Sequence, residues 1–147
     1  MMARRVFFSF EFEHDVQRAM VVRNSWVTQG DAAGFTDAAA FEKLKKSGDD
    51  AVKRWIDDQL KNTSVTVVLV GEATCTSRWV AYEIEQSKAR GNGLLGIDVS
   101  KIKNWNQQTS NRCGEFPSGY AFYLLFKDEG YKNMSGWIET AAKAAGR

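Results

Sequence analysis

Ser64-Val65-Thr66-Val67-Val68-Leu69-Val70 is the run whose reading decides the fold. It is β-branched or aliphatic almost throughout and does not alternate with polar residues. That is the pattern of a strand covered on both faces, as in a parallel sheet. Arg5-Val6-Phe7-Phe8-Ser9-Phe10 has the same character. Leu94-Leu95-Gly96-Ile97-Asp98-Val99 follows the turn signal Gly91-Asn92-Gly93 and gives a third strand. Tyr120-Ala121-Phe122-Tyr123-Leu124-Leu125-Phe126 is a weaker fourth, and Gly34-Phe35-Thr36-Asp37 a short further candidate.

Helical periodicity fills the intervals. Val16, Ala19, Met20, Trp26 and Val27 share one face of a helix over about residues 14–28. Val52, Trp55, Ile56 and Leu60 form a cleaner stripe, opened by Ser47-Gly48-Asp49-Asp50, whose Ser-x-x-Asp spacing matches a capping box. A third helix is predicted over residues 77–90, stopping at Gly91. The last, over residues 135–145, puts Trp137, Ile138, Ala141, Ala142 and Ala145 on one side. Strands alternating with helices predict an α/β fold with a central, mainly parallel sheet flanked by helices. The polar stretch 104–119, with Pro117, reads as one long loop.

Composition narrows the classes. A chain of 147 residues is one domain's worth, so 1–147 reads as a single unit. Hydrophobic residues at 44% and charged residues at 26% are globular values. Twenty Lys and Arg against 18 Asp and Glu leave a net charge of +2, which argues against a nucleic-acid partner. Two cysteines, Cys75 and Cys113, provide no disulfide framework. Arg4 and Arg5 precede an apolar run that Glu11 and Glu13 end before signal-peptide length. No apolar run approaches bilayer length. The expectation is a soluble, cytoplasmic protein with no membrane partner.

Ligands of such sheets bind beyond the carboxyl ends of the strands. The relevant loops follow Phe10, Asp37 and Val70. Ser9-Phe10-Glu11-Phe12 has no glycine, so the dinucleotide fingerprint is absent, and no Walker loop occurs. In the helix after the third loop, Trp79, Val80, Glu83, Ile84 and Ser87 fall on one face. Glu83 therefore stands where a core residue is expected, and a carboxylate there is costly unless solvated or paired. A cleft resolves the conflict: a carboxylate with an indole one turn earlier suits a ligand with a flat ring and sugar hydroxyls. The competing reading leaves Glu83 at the helix boundary in water, as Glu85 is expected to be.

Other candidates follow from position. Ser9 and Phe10 end the first strand and border the pocket, with Ser9 available to a phosphate or ribose; alternatively Phe10 is core and Ser9 a cap. Asp37 is either a pocket residue or a helix cap. Arg23 and Asn24 interrupt the stripe of the first helix and suit solvent or a salt bridge. Cys75 lacks a neighbouring activating histidine and reads as a bystander thiol. His14 reads as a polar residue near a helix start. No cluster has metal-ligand spacing, so no metal is expected.

Trp79-Val80-Ala81-Tyr82-Glu83-Ile84, followed by Gly91-Asn92-Gly93-Leu94-Leu95-Gly96-Ile97, resembles the Trp-x-x-x-Glu-Ile region of TIR domains. Arg5 to Phe10 and Val22-Arg23-Asn24-Ser25-Trp26-Val27-Thr28 resemble the bacterial TIR-like proteins of the Thoeris anti-phage defence type. Gly34-Phe35-Thr36-Asp37-Ala38, Ile56-Asp57-Asp58-Gln59-Leu60 and Trp137-Ile138-Glu139-Thr140-Ala141-Ala142 extend the likeness over most of the chain. The resemblance implies a flavodoxin-like TIR fold and cleavage of NAD between nicotinamide and ribose. NAD would be substrate, with no cofactor. Glu83 would be the essential catalytic residue, with Trp79 lining the same pocket. The product would be a cyclic or modified ADP-ribose that activates a separate effector protein. Self-association into a homo-oligomer is implied too.

This chain departs from the subgroup at Glu11-Phe12, where a histidine- or tyrosine-like pair is expected; the added carboxylate lies at the pocket rim. The alternative is a non-catalytic TIR module that signals by homotypic assembly. A phosphorelay receiver needs an Asp after the third strand, and Val70-Gly71-Glu72 supplies none. A nucleoside deoxyribosyltransferase is a more distant possibility.

Overall fold

The burial of whole strands on both faces sets the architecture. The computed structural model describes residues 4–26, 30–36 and 38–147. Within them β1 (Arg5–Ser9), β2 (Asp31–Ala33), β3 (Val65–Val70), β4 (Gly93–Asp98) and β5 (Ala121–Leu124) form one parallel sheet in the order β2-β1-β3-β4-β5. This is the flavodoxin-like order: the chain winds outward from β1 in both directions and leaves a crevice where β1 and β3 diverge. The helices α1 (Phe12–Trp26) and α5 (Gly130–Ala144) cover one face; α2 (Ala38–Lys46), α3 (Asp49–Leu60) and α4 (Arg78–Ala89) cover the other. No helix among the described residues is long and apolar enough to cross a membrane.

Side-chain alternation divides the core between the two faces. Val6, Phe8 and Phe10 of the first strand region, with Val65, Val67 and Leu69, meet Ala19, Val22, Trp26, Met134, Ile138 and Ala142. Phe7 points the other way into Phe41, Val52, Ile56 and Leu60. Val68, Val70 and Leu94 pack under Val80 of α4.

Several expectations need correction. The second strand is the three residues Asp31–Ala33, directly before the Gly34-Phe35-Thr36-Asp37 segment. Gly34 ends it because its φ of +93° leaves the extended region, and a Cβ there would sit 2.4 Å from the Phe8 carbonyl oxygen. Gly34→Ala is therefore expected to destabilise the fold by about 1–3 kcal/mol, read as a lower urea midpoint with an unchanged m-value.

The first helix starts at Phe12, earlier than its apolar stripe suggests, because Glu11 caps it. The Glu11 carboxylate accepts the N–H groups of Glu13 (3.2 Å) and His14 (2.8 Å), and its carbonyl accepts that of Asp15. Val27 and Thr28, at the far end of that helix, lie outside the described residues. Ser47 forms no capping box: its hydroxyl donates to the Lys43 carbonyl, and α3 starts after Gly48 without a side-chain cap. The last helix begins at Gly130, and α2 occupies a stretch for which the sequence pattern predicts no helix.

Cys75 is not a bystander thiol. It forms a disulfide with Cys113, 38 residues on. The pairing follows from the path of the long loop, whose Cys113 N–H donates to the Gly71 carbonyl just past β3. That bond draws residues 111–117 back over the turn where Cys75 sits.

Candidate functional site

Glu83 is positioned by the start of its helix. Ser77 caps α4, its hydroxyl accepting the Val80 N–H at 3.2 Å, so the helix begins at Arg78. From there Trp79 and Glu83, four residues apart, share a face. Glu83 and Ser87 turn inward onto the sheet, while Glu85 is exposed. The sheet answers with hydroxyls: Ser9 at the end of β1 donates to Glu83 Oε1 at 2.7 Å, and Thr66 of β3 pairs with Ser87 at 2.6 Å. Ser87 also donates to the Glu83 carbonyl at 2.7 Å.

Glu83 is only 5% exposed. Burial pushes its carboxyl up from the ordinary 4.5 to about 8, against the pull of the Ser9 hydroxyl. Among the described residues no cation enters that balance. A carboxyl of this kind is mostly protonated at neutral pH, and a cation brought beside it would drive the proton off.

Glu83 lies in the wall of a cleft of about 300 Å³ beside the carboxyl end of β1. Phe10 and Phe12 form one wall with Phe41 of α2; the Phe12 and Phe41 rings stack at 4.2 Å and 4°. Trp79 and Arg78 stand at the start of α4, with Asp49 and Val52 of α3 nearby. Glu11, Glu13 and Lys45 complete the rim. The cleft thus combines flat aromatic walls, one buried carboxyl and a charged mouth. That combination suits a ligand with planar rings, a sugar and an anionic group.

The structure brings together Glu83, Trp79 and Phe10 at this cleft. Ser9 is fully buried behind Glu83 and its hydroxyl is committed to that carboxyl, so it positions Glu83 instead of facing a phosphate or ribose. Asp37 lies outside the described residues. Glu11 is at the rim, but its carboxylate is taken up by the helix cap and by His14 Nδ1 at 2.6 Å, which raises the imidazole above its ordinary value. Glu11, Glu13 and His14 hold their ligand-type atoms within 4.8 Å of one another, a grouping that the capping bonds explain. Arg23 lies over the Phe35 ring at 5.5 Å and is not among the residues that line the cleft.

Sequence reasoning missed Phe12, Phe41, Lys45, Asp49 and Arg78. Phe41 and Lys45 went with the unrecognised α2. Arg78 adjoins Trp79 in the chain, and its guanidinium lies 4.5 Å from the indole centroid.

Comparison with known proteins gives two matches. The family described as "Thoeris protein ThsB, TIR-like domain" matches residues 7–110. A protein of Bacillus cereus (strain MSX-D12) named "Putative cyclic ADP-D-ribose synthase ThsB1" is 41% identical over 139 residues, covering 92% of this chain and 72% of the relative.

Proposed function

The chain belongs to the TIR-like domain family of the Thoeris protein ThsB, and from that premise we propose that it cleaves the nicotinamide–ribose bond of NAD and converts the ADP-ribosyl group into a cyclic or modified ADP-ribose. The observation that carries this reading is the buried Glu83 carboxyl in the wall of an aromatic cleft. A module that only assembles has no use for a carboxyl whose burial is so unfavourable.

The chemistry asks little more of the protein. When the glycosidic C–N bond breaks, its electron pair passes to the nicotinamide nitrogen and neutralises that ring, so no acid need protonate the leaving group. Positive charge develops on the ribose, as in the oxocarbenium-like state of glycoside hydrolysis. Glu83, ionised once the cationic substrate is seated, faces that charge and stabilises it. A nucleophile from the same molecule closes a ring; water gives ADP-ribose. The proton the nucleophile sheds passes to Glu83, whose high pKa suits a base near neutrality. Trp79 and the phenylalanine wall stack the planar rings. NAD is substrate here, and the scheme requires no further cofactor.

In this reading the nucleotide product is a cytoplasmic signal to a separate effector in anti-phage defence. Self-association would place further residues at the open mouth of the cleft.

Concentrated protein incubated with NAD, with products resolved by chromatography and mass spectrometry, tests the proposal. Nicotinamide and a modified ADP-ribose are expected, and the reading fails if Glu83→Gln cleaves NAD as fast as the wild type. The pH profile carries a second expectation. The carboxylate is the active form, so kcat/KM should climb with pH and level off above about 8. The kcat profile should level off at lower pH, because the bound cation favours ionisation. A flat kcat/KM profile between pH 6 and 9 would remove Glu83 from the reacting role.

A further inference from the structure

Among the described residues the mouth of the cleft holds two cations, Lys45 and Arg78, and they differ in what they have left to offer. Lys45 Nζ lies between two carboxylates, Glu13 at 2.8 Å and Glu42 at 3.0 Å. Its charge is more than cancelled locally. Among the described residues Arg78 faces one carboxylate: Asp49 receives one N–H from each terminal nitrogen, at 2.9 and 2.7 Å. Asp49 thereby engages two of the five N–H donors of a guanidinium and leaves three.

Arg78 is also held in place. Its plane lies over the Trp79 indole at 4.5 Å, and the Asp49 fork fixes its rotation. The pair is solvent-exposed, with side-chain exposures of 67% and 56%. Such pairs contribute little net energy in water, so an incoming anion shares the guanidinium with the carboxylate at small cost. A planar, pre-oriented guanidinium at an open mouth matches phosphate oxygens two at a time, which an ammonium cannot do.

Position along α4 separates the two side chains. Arg78 lies five residues before Glu83, about 7.5 Å along a helix axis. Both line the same cleft, Glu83 buried in its wall and Arg78 exposed, so Arg78 stands at the outer end of the space that Glu83 faces. We propose that Arg78, oriented by Asp49 and Trp79, is the specificity residue that takes the diphosphate of the substrate at the mouth of the Glu83 cleft. The inference rests on the NAD-cleaving reading for the identity of the ligand, and it assigns to this site a preference for dinucleotides over phosphate-free ribosides.

ADP-ribose and nicotinamide riboside separate the two ideas. Calorimetric titration of ADP-ribose into the Glu83→Gln protein, with and without Arg78→Ala, reads the diphosphate contact without turnover. Arg78→Ala is expected to weaken ADP-ribose about 10- to 100-fold. Arg78→Lys should recover part of that loss, and nicotinamide riboside should bind both proteins alike. In the otherwise unmodified enzyme, Arg78→Ala should raise KM for NAD by a similar factor and leave kcat nearly unchanged.

Four results overturn the inference: no ADP-ribose binding to the parent protein, unchanged affinity in Arg78→Ala, an equal loss for nicotinamide riboside, or an equal or greater loss in Lys45→Ala. A wild-type protein that binds ADP-ribose through Arg78 but never cleaves NAD would sink the proposed reaction and leave the Arg78 assignment standing.

Discussion

Glu83→Gln should sharply reduce NAD turnover and, at neutral pH, raise the melting temperature. Both effects come from one cause. The Glu83 carboxyl is buried with a single hydroxyl partner among the described residues, and burial lifts its pKa from 4.5 to about 8. The folded state therefore binds a proton that the unfolded chain releases. Stability from this group is fully present below pH 4.5 and is lost as pH rises toward 8, at about 1.4 kcal/mol per pH unit. By pH 7 the wild type has given up about 3 kcal/mol relative to pH 4.5. Glutamine keeps an acceptor for the Ser9 hydroxyl and has no proton to lose. The variant should melt with the wild type near pH 4.5 and about 6–12 °C higher at pH 7. Turnover should fall on the order of 10³-fold, the scale of losing a stabilising group aimed at developing charge. Melting curves at the two pH values decide it: a gap independent of pH would mean that the carboxyl is not desolvated as described.

The same residue explains why part of the site is legible in sequence. Glu83 sits on an otherwise apolar helical face beside Trp79, and that local contradiction is visible without coordinates. The buried strands are legible for the opposite reason, since Val65–Val70 and Arg5–Ser9 are apolar beyond what one covered face requires. The misses have physical causes too. The helix Ala38–Lys46 offers little more than Phe41 and Leu44 for burial, among alanines and lysines, so its stripe is too thin to read. With it vanish Phe41 and Lys45 from the cleft. Arg78 is silent because Asp49, the carboxylate that orients it, stands 29 residues upstream. Cys113 reaches Cys75 only because a loop without periodicity folds back, and no spacing rule reports such a return. Ser9 reads as a ligand contact from its place at the end of β1, yet the inward lean of α4 turns it into the support of Glu83.

The largest loss of stability is expected away from the cleft, at Arg18. Arg18 is 2% exposed and Asp15 fully buried, so the chain carries an ion pair in its interior. Arg18 does more than face Asp15 Oδ1 at 3.3 Å. Its Nε donates to the Ile102 carbonyl at 2.7 Å and a terminal nitrogen donates to the Gln108 carbonyl at 3.2 Å. One guanidinium thus fastens the long connection after β4 onto α1. Asp15 Oδ2 has no hydrogen-bond partner among the described residues, and burial lifts the Asp15 carboxyl to about 6 even with the arginine pulling it down. Arg18→Ala leaves that carboxyl without its cation and orphans the Ile102 carbonyl, at a cost of about 3–5 kcal/mol. The pH dependence has a definite sign. With the cation gone, the folded-state pKa of Asp15 rises further, so the charge part of the penalty vanishes below the unfolded value near 4 and is greatest above neutrality. Adding Asp15→Asn to Arg18→Ala removes the stranded charge and should recover much of the loss at pH 8 and little of it at pH 4. Urea denaturation of the wild type, the single variant and the double variant at those two pH values separates the outcomes. If the second substitution recovers nothing at pH 8, Arg18 acts only through the loop carbonyls, and its charge is incidental.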